Sequence, residues 1–271
     1  MQFLIILVIS GLFAGMLGGL LGIGGGVVLM PILRFFVGLS PAFASSTCVI
    51  TVFFTTLGGA FRHYKLGHVN LRPILPVIAA GAVSTIVFSA FFPYLLRKPS
   101  WPPLAAGGGW LDFGTGLLFS IISLRMIIEG LTDRTDRKSE EGPEITKRSS
   151  VLAKMGIGAL AGALPGLLGI GTGAVLVPAF TLVLGIPIKI AIGSSLTCFC
   201  VNAFLSSGFK LFQGYAVIQV ALPLCLGALI GSNIGAVLNR RFPSPLLKII
   251  FGLTFLYISF KYISLFPGAK L

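Results

Sequence analysis

The sequence predicts an all-α, polytopic membrane protein made of two homologous halves. Three observations carry this. Hydrophobic residues make up 55% of the chain and charged ones only 10%, for a mean hydropathy of +1.01. The apolar residues fall in runs of about 20, the length of a membrane-crossing helix. The string GLLGIGGGVVLMP (Gly19–Pro31) returns as GLLGIGTGAVLVP (Gly166–Pro178), identical at ten of thirteen positions. A chain of 271 residues with so much apolar surface cannot hide it inside a water-soluble globule, so its solvent is lipid.

Runs long enough to cross a hydrocarbon core of about 30 Å lie at 2–21, 41–61, 71–96, 111–131, 151–168, 188–209, 216–239 and 244–266. The first has no Lys or Arg ahead of its apolar core and no small-residue cleavage site, and its glycine spacing returns at 158–166. It is therefore expected to be a helix of the mature protein rather than a secretory leader. Two shorter runs, 25–38 and 172–186, follow the glycine clusters. At about 14 residues, roughly 21 Å of helix, each is short for a crossing. Either each continues the preceding helix past a break or it forms a half-length segment, giving four to five passes per half.

Between the halves, TDRTDRKSEEGPEITKRSS (132–150) is too hydrophilic to lie anywhere but in water. The expected domains are a first membrane repeat (1–131), a cytoplasmic linker (132–150) and a second membrane repeat (151–271). One offset, 147 residues from Gly11 to Gly158, aligns the repeats without a gap. It carries Gly15, Gly19, Gly22, Gly24, Gly26 and Pro31 onto Gly162, Gly166, Gly169, Gly171, Gly173 and Pro178. Further along, Ala44 falls on Ala191, Thr47 on Ser194, Gly67 on Gly214 and Pro76 on Pro223. Cytoplasmic loops carry an excess of Lys and Arg. With the linker inside, Arg62, Lys65 and Arg72 fall inside and Arg97 and Lys98 outside. An odd number of passes per half then puts Arg240, Arg241 and Lys248 inside and Lys210 outside, which obeys the rule better than an even number. Odd halves are antiparallel, an inverted repeat of the kind found in secondary transporters.

Glycines four apart (Gly11, Gly15, Gly19; Gly18, Gly22, Gly26) lay bare backbone along one helix face and are explained by helix packing alone. The dense cluster Gly22, Gly24, Gly25, Gly26, followed by Pro31, weakens a helix instead. In lipid a broken backbone is tolerated only inside protein or beside a water-filled cavity. Two breaks at equivalent places (Gly22, Gly24, Gly25, Gly26; Gly169, Gly171, Thr172, Gly173) point to one central site, and a helix restarting after each favours an anion at its N-terminus. Thr172 in place of Gly25 and Pro165 in place of Gly18 make that site asymmetric.

All seven acidic residues lie between Asp112 and Glu144, leaving 1–111 and 145–271 without a carboxylate. Cation transporters need carboxylates in the membrane, and only Asp112 and Glu129, at the ends of the fourth run, approach that role, more readily read as interfacial caps. The net charge of +13 is spread over loops and serves lipid headgroups rather than nucleic acid. Arg62 and His63, with Lys210 at the register position of His63, are either snorkelling anchors or anion-attracting groups. Ser45, Ser46 and Thr47 match Ser194 and Ser195 across the repeat as uncharged donors; Asn202 and Gln213 add polarity to the same segment of the second half. Each hydroxyl alone is as readily a bond to its own helix backbone.

No G-x-x-x-x-G-K-[ST] string occurs, which rules out an ATP-driven pump of that type. Cys48, Cys198, Cys200 and Cys225 show no C-x-x-C spacing, so neither disulfide nor metal is expected. No cofactor is expected, and no nucleophile, base and orienting carboxylate assemble into an enzyme.

The two glycine strings, the A-x-x-S-S stretch after each and the loop RHYKLGHV (Arg62–Val69) resemble the TauE/SafE sulfite exporter family over nearly the whole chain. The resemblance implies a duplicated membrane protein of the bacterial inner membrane that moves sulfite, a sulfonate or a related small anion. The expectation is therefore a secondary transporter, exporting by alternating access around the two breaks, with a small anion and the bilayer as partners and a homodimer left open. A passive anion channel and a noncatalytic membrane subunit are the alternatives.

Overall fold

The computed structural model describes residues 2–97, most of 120–132, 151–167 and 173–264, and every regular element among them is helical. Two compact units form: residues 1–93 with 145–241, and residues 94–144 with 242–271. These units are a different division of the chain from the sequence halves. Gly169, Gly171 and Thr172, Asp112, Glu129, Trp101, Trp110, and the linker beyond Thr132 lie outside the described residues.

In the first unit, α1 (Gln2–Leu21) ends at the first glycine cluster and α2 (Gly26–Pro31) restarts after it. A π-helical turn, Ile32–Phe36, follows at once. Pro31 lacks an amide hydrogen, so the ladder loosens there; the next bonds reach five residues back, Val37 N to Ile32 O at 3.0 Å. The predicted half-length segment thus holds residues 26–36, about 16 Å of chain. Then come α3 (Pro41–Lys65), with proline in its first turn, and α4 (Leu71–Arg97).

The second set repeats this order: α5 (Val151–Leu167), α6 (Gly173–Pro178), a π-turn Ala179–Val183, α7 (Ile188–Phe212) and α8 (Ile218–Arg241). Gly67 and Gly214, counterparts under the offset, close α3 and α7 with φ of 73° and 74°, the left-handed backbone that favours glycine after a helix. α3 and α7 run a turn past the predicted ends, so Arg62, His63 and Lys210 are helical. Five described helices are long and apolar enough to cross a membrane: Gln2–Leu21, Ala42–Lys65, Leu71–Tyr94, Ile188–Phe212 and Ile218–Arg241.

Residue order across the contacts fixes the helix directions. Gly11, Gly15 and Gly19 lie against the backbones of Leu224, Ala228 and Ser232, so α1 and α8 run parallel with no room for a Cβ between them. Gly158 and Gly162 of α5 lie in the same way against Val77 and Gly81 of α4, and those are the counterparts of Leu224 and Ala228. The counterpart helices α3 and α7 run antiparallel: Gly193 sits beside His63, Gly59 beside Leu196, and the Phe53 and Phe204 rings are 5.5 Å apart.

Polarity is turned inside out relative to a water-soluble protein. Thr51, Thr55, Thr85, Ser89, Asn202, Ser232 and Asn239 are buried, while Leu222, Leu226, Ile230 and Ile234 form an exposed apolar row on α8. Such a row needs hydrocarbon, and the glycine contacts supply close packing where no hydrophobic force acts between helices.

In the second unit, helical residues within 120–132 pack on α9 (Ser244–Ser264). Ser123 Oγ donates to Gly252 O at 2.8 Å, and Gly130 faces Pro245 and Ile249.

Candidate functional site

Three left-handed glycines make the first break. Gly22, Gly24 and Gly25 have φ of 76°, 72° and 73°, a conformation that costs other residues about 1–2 kcal/mol each. The chain turns back on itself there, and Gly26 opens α2 against α3, where Cys48 Sγ lies 3.5 Å from Gly26 O. A Cβ on Gly24 would enter the ring of Phe199, and one on Gly18 would enter the backbone of Gly24 and Gly25. This is more than a smooth packing face.

The first break touches the start of α6. Gly173, the first residue of α6, is packed so closely on Gly22 O and Ile23 Cα that any side chain there collides with backbone. Ser195 Oγ lies 3.0 Å from Gly22 O and 2.8 Å from Ile192 O, sharing one hydrogen between two carbonyls.

The neighbouring hydroxyls brace the loops. Ser194 Oγ accepts from the amide of Asn70 at 3.3 Å, and Thr47 Oγ1 accepts from the amide of Val217 at 3.1 Å. Asn70 and Val217 are themselves counterparts, so the two bonds are one interaction made twice. Ser46 Oγ bonds back to Ala42 O at 2.8 Å, the local bond open to any helical serine. Ser45 Oγ and Asn202 Oδ1 are buried with no hydrogen-bond partner. Gly22 to Gly26, Ser45 to Thr47, Gly173, Ser194 and Ser195 are all buried.

The charged candidates separate. His63 is fully buried, and its Nε2 donates to Gly19 O at 2.9 Å, tying α3 to the end of α1. A neutral His63 then has Nδ1 free to accept from His68 Nδ1, 3.4 Å away. Burial pushes the His68 imidazole below its ordinary value of 6.5, and Lys189 and Arg240 add to the shift. Arg62 turns away from the breaks into a groove of about 450 Å³ that it lines with Asn233, Ile234, Val237, Leu238 and Arg241. Lys210, fully buried, sits at the far end of the antiparallel α3/α7 pair from His63, its Nζ over the Phe92 ring.

Sequence spacing alone misses several groups at the crossing. Asn239 Nδ2 donates to Leu20 O at 2.8 Å, and Phe199 and Thr56 press on Gly24. The only sequence signal for Asn239 is its seven-residue spacing from Ser232, two turns along one face of α8. His68 reads as a loop residue until the fold brings it to His63.

The sequence profile of the family described as "Sulfite exporter TauE/SafE" matches residues 7–262. The chain belongs to the TauE/SafE sulfite exporter family. Among its relatives, "Probable membrane transporter protein YunE" of Bacillus subtilis (strain 168) is 26% identical, across 94% of this chain and 95% of that protein. A "Probable membrane transporter protein" of Haemophilus influenzae is 30% identical across 95% and 97%. "Sulfite exporter TauE/SafE family protein 2" of Arabidopsis thaliana is 38% identical over 40% of this chain and 28% of that protein. No solved structure gives a significant match. This TauE/SafE member is thus a multi-pass helical membrane protein of a transporter family.

Proposed function

We propose that the protein is a secondary transporter that exports a small sulfur-containing anion, sulfite or a sulfonate or a related oxyanion, across the bacterial inner membrane. Two inverted halves alternate access around the crossing of their glycine breaks. The observation that carries this is the contact of Gly173 with Gly22, beside the bond from Ser195 to Gly22 O. It joins the first half's irregular backbone to the start of α6 and to a hydroxyl donor of the second half in one buried place, in a unit without Asp or Glu. Backbone of that kind is tolerated in a membrane where it is buried or lines a path.

Orientation follows from charge. Arg62, Lys65, Arg72, Lys154, Lys189, Arg240 and Arg241 gather at one end of the first unit's helices, and Arg34 and Lys210 at the other. The basic end faces the cytoplasm. Anion exchange, the proton gradient and the membrane potential, worth about 2.3 kcal/mol per charge per 100 mV, are the candidate driving forces.

A passive anion channel is served by the same lack of Asp and Glu, but it needs a continuous path. The burial of the described residues there, with the loops at Asn70 and Val217 bonded to Ser194 and Thr47, favours alternating access. The test is efflux from proteoliposomes loaded with sulfite. Saturable, counterflow-competent efflux supports the transporter, and non-saturating current without counterflow supports the channel.

A further inference from the structure

Lys210 is the one described cation with no solvent exposure. Its Nζ has no hydrogen-bond partner and lies over the Phe92 ring, and the Tyr215 ring is set at a steep angle to Phe92 with centroids 5.8 Å apart. No carboxylate is available to it within its unit, because every Asp and Glu of the chain lies between 112 and 144. A buried ammonium without a counter-ion is costly, and a ring face offsets only part of that.

Further polar groups lie along the same side of α7, between Lys210 and the crossing. Asn202, Ser206 and Lys210 fall on one face of α7 at spacings of four, and Gln213 follows three residues on, just past the helix end. Ser206 Oγ lies 3.3 Å from Ser89 Oγ, and Gln213 Nε2 donates to Ser89 O at 2.8 Å. Asn202 Oδ1 and Gln213 Oε1 are, like Lys210 Nζ, buried and without a partner. One turn and more toward the breaks, the same face of α7 reaches Phe199 and Ser195, which touch Gly24 and Gly22. His63, the counterpart of Lys210, is instead bonded to Gly19 O, so the two ends of the interior are chemically different.

We propose that Lys210 is an anion-binding position of its own, separate from the crossing, and that the transported oxyanion is the counter-ion that no described residue supplies. This rests on the transport reading and adds to it a place where the anion is held on one side of the breaks. A small, compact oxyanion fits the site's chemistry: one unpaired cation, and no Asp or Glu in its unit to repel the anion. A phospholipid headgroup offers similar chemistry; binding of free sulfite in lipid-free detergent identifies the solute as the source.

The test is equilibrium binding of radiolabelled sulfite to purified protein in detergent, for wild type, Lys210→Met and Lys210→Arg, each shown monodisperse. Lys210→Gln replaces Lys210→Met if that variant does not fold. Lys210→Met is expected to weaken binding about tenfold or more, and Lys210→Arg to hold it within about threefold. Wild-type affinity in a neutral variant overturns the assignment, as does absence of sulfite binding by the wild type. Flux separates the two claims. If wild-type liposomes export sulfite and Lys210→Met does so with unchanged KM, the Lys210 site falls and the transporter stands. If binding depends on Lys210 but no anion crosses, the site stands and the transporter falls.

Discussion

Ser195 donates its hydroxyl hydrogen toward Gly22 O, 173 residues earlier in the chain, at 3.0 Å. The bond ties the second half's serine segment to the first half's helix break, and Gly22 needs its left-handed φ of 76° to turn that carbonyl to it. Ser195→Ala should leave Gly22 O without this partner in a buried place. A cost of about 1–3 kcal/mol is expected, read as a lower Tm in detergent, together with reduced sulfite efflux. Unchanged Tm and unchanged efflux would mean that the bond contributes nothing at the crossing.

Two kinds of positive-φ glycine can be told apart by mutation. Gly38 and Gly67 have open space around them, so alanine there meets backbone strain alone, about 1–2 kcal/mol. Gly22 and Gly24 carry the same strain and also a collision, with Ser195 Oγ at Gly22 and with the Phe199 ring at Gly24. Gly22→Ala and Gly24→Ala should lower Tm more than Gly67→Ala and impair transport even where the protein folds. Equal effects at all three positions would reduce the break to ordinary turn chemistry.

The packing glycines give a reciprocal test. Gly11→Ala and Gly158→Ala each drive a methyl into a partner backbone, Leu224 and Val77 respectively, and should destabilise by similar amounts. Gly156→Ala and Gly208→Ala meet nothing within 4 Å, and should raise stability by about 0.5–1 kcal/mol through helix propensity. Thermal unfolding of the four variants decides; a benign Gly158→Ala beside a damaging Gly11→Ala would break the correspondence between halves.

Much of this was legible in the sequence, and the limits have physical causes. Helix spans follow from hydropathy, because lipid demands continuous apolar runs, and the offset that pairs Gly11 with Gly158 also pairs their neighbours, Leu224 and Val77. α3 and α7, which the offset pairs, run antiparallel. Less legible was where side chains point. Arg62 and His63 are adjacent in sequence, yet one lines an outer groove and the other bonds to Gly19 O, because neighbours on a helix are about 100° apart. Asn239 and Phe199 reach the crossing only through tertiary packing that no local spacing encodes.

His68 supplies a pH dependence. Its pKa is depressed by burial, then by Lys189 and Arg240. The unfolded chain therefore binds a proton first as pH falls through the ordinary value of 6.5. Stability from this group is full above that value and declines below it, levelling off once pH passes the depressed folded value. His68→Gln should flatten part of the fall in Tm between neutral and mildly acidic buffer. An identical Tm profile in His68→Gln would remove His68 from the account.

The most direct measurement of the central claim is sulfite efflux from proteoliposomes of the purified protein, with sulfate, thiosulfate, taurine and sulfoacetate as companions, with and without imposed pH and voltage gradients. The account predicts saturable efflux of at least one sulfur anion, accelerated by the same anion outside and lost in folded Gly24→Ala. Folded protein that moves none of these anions under any gradient would contradict it.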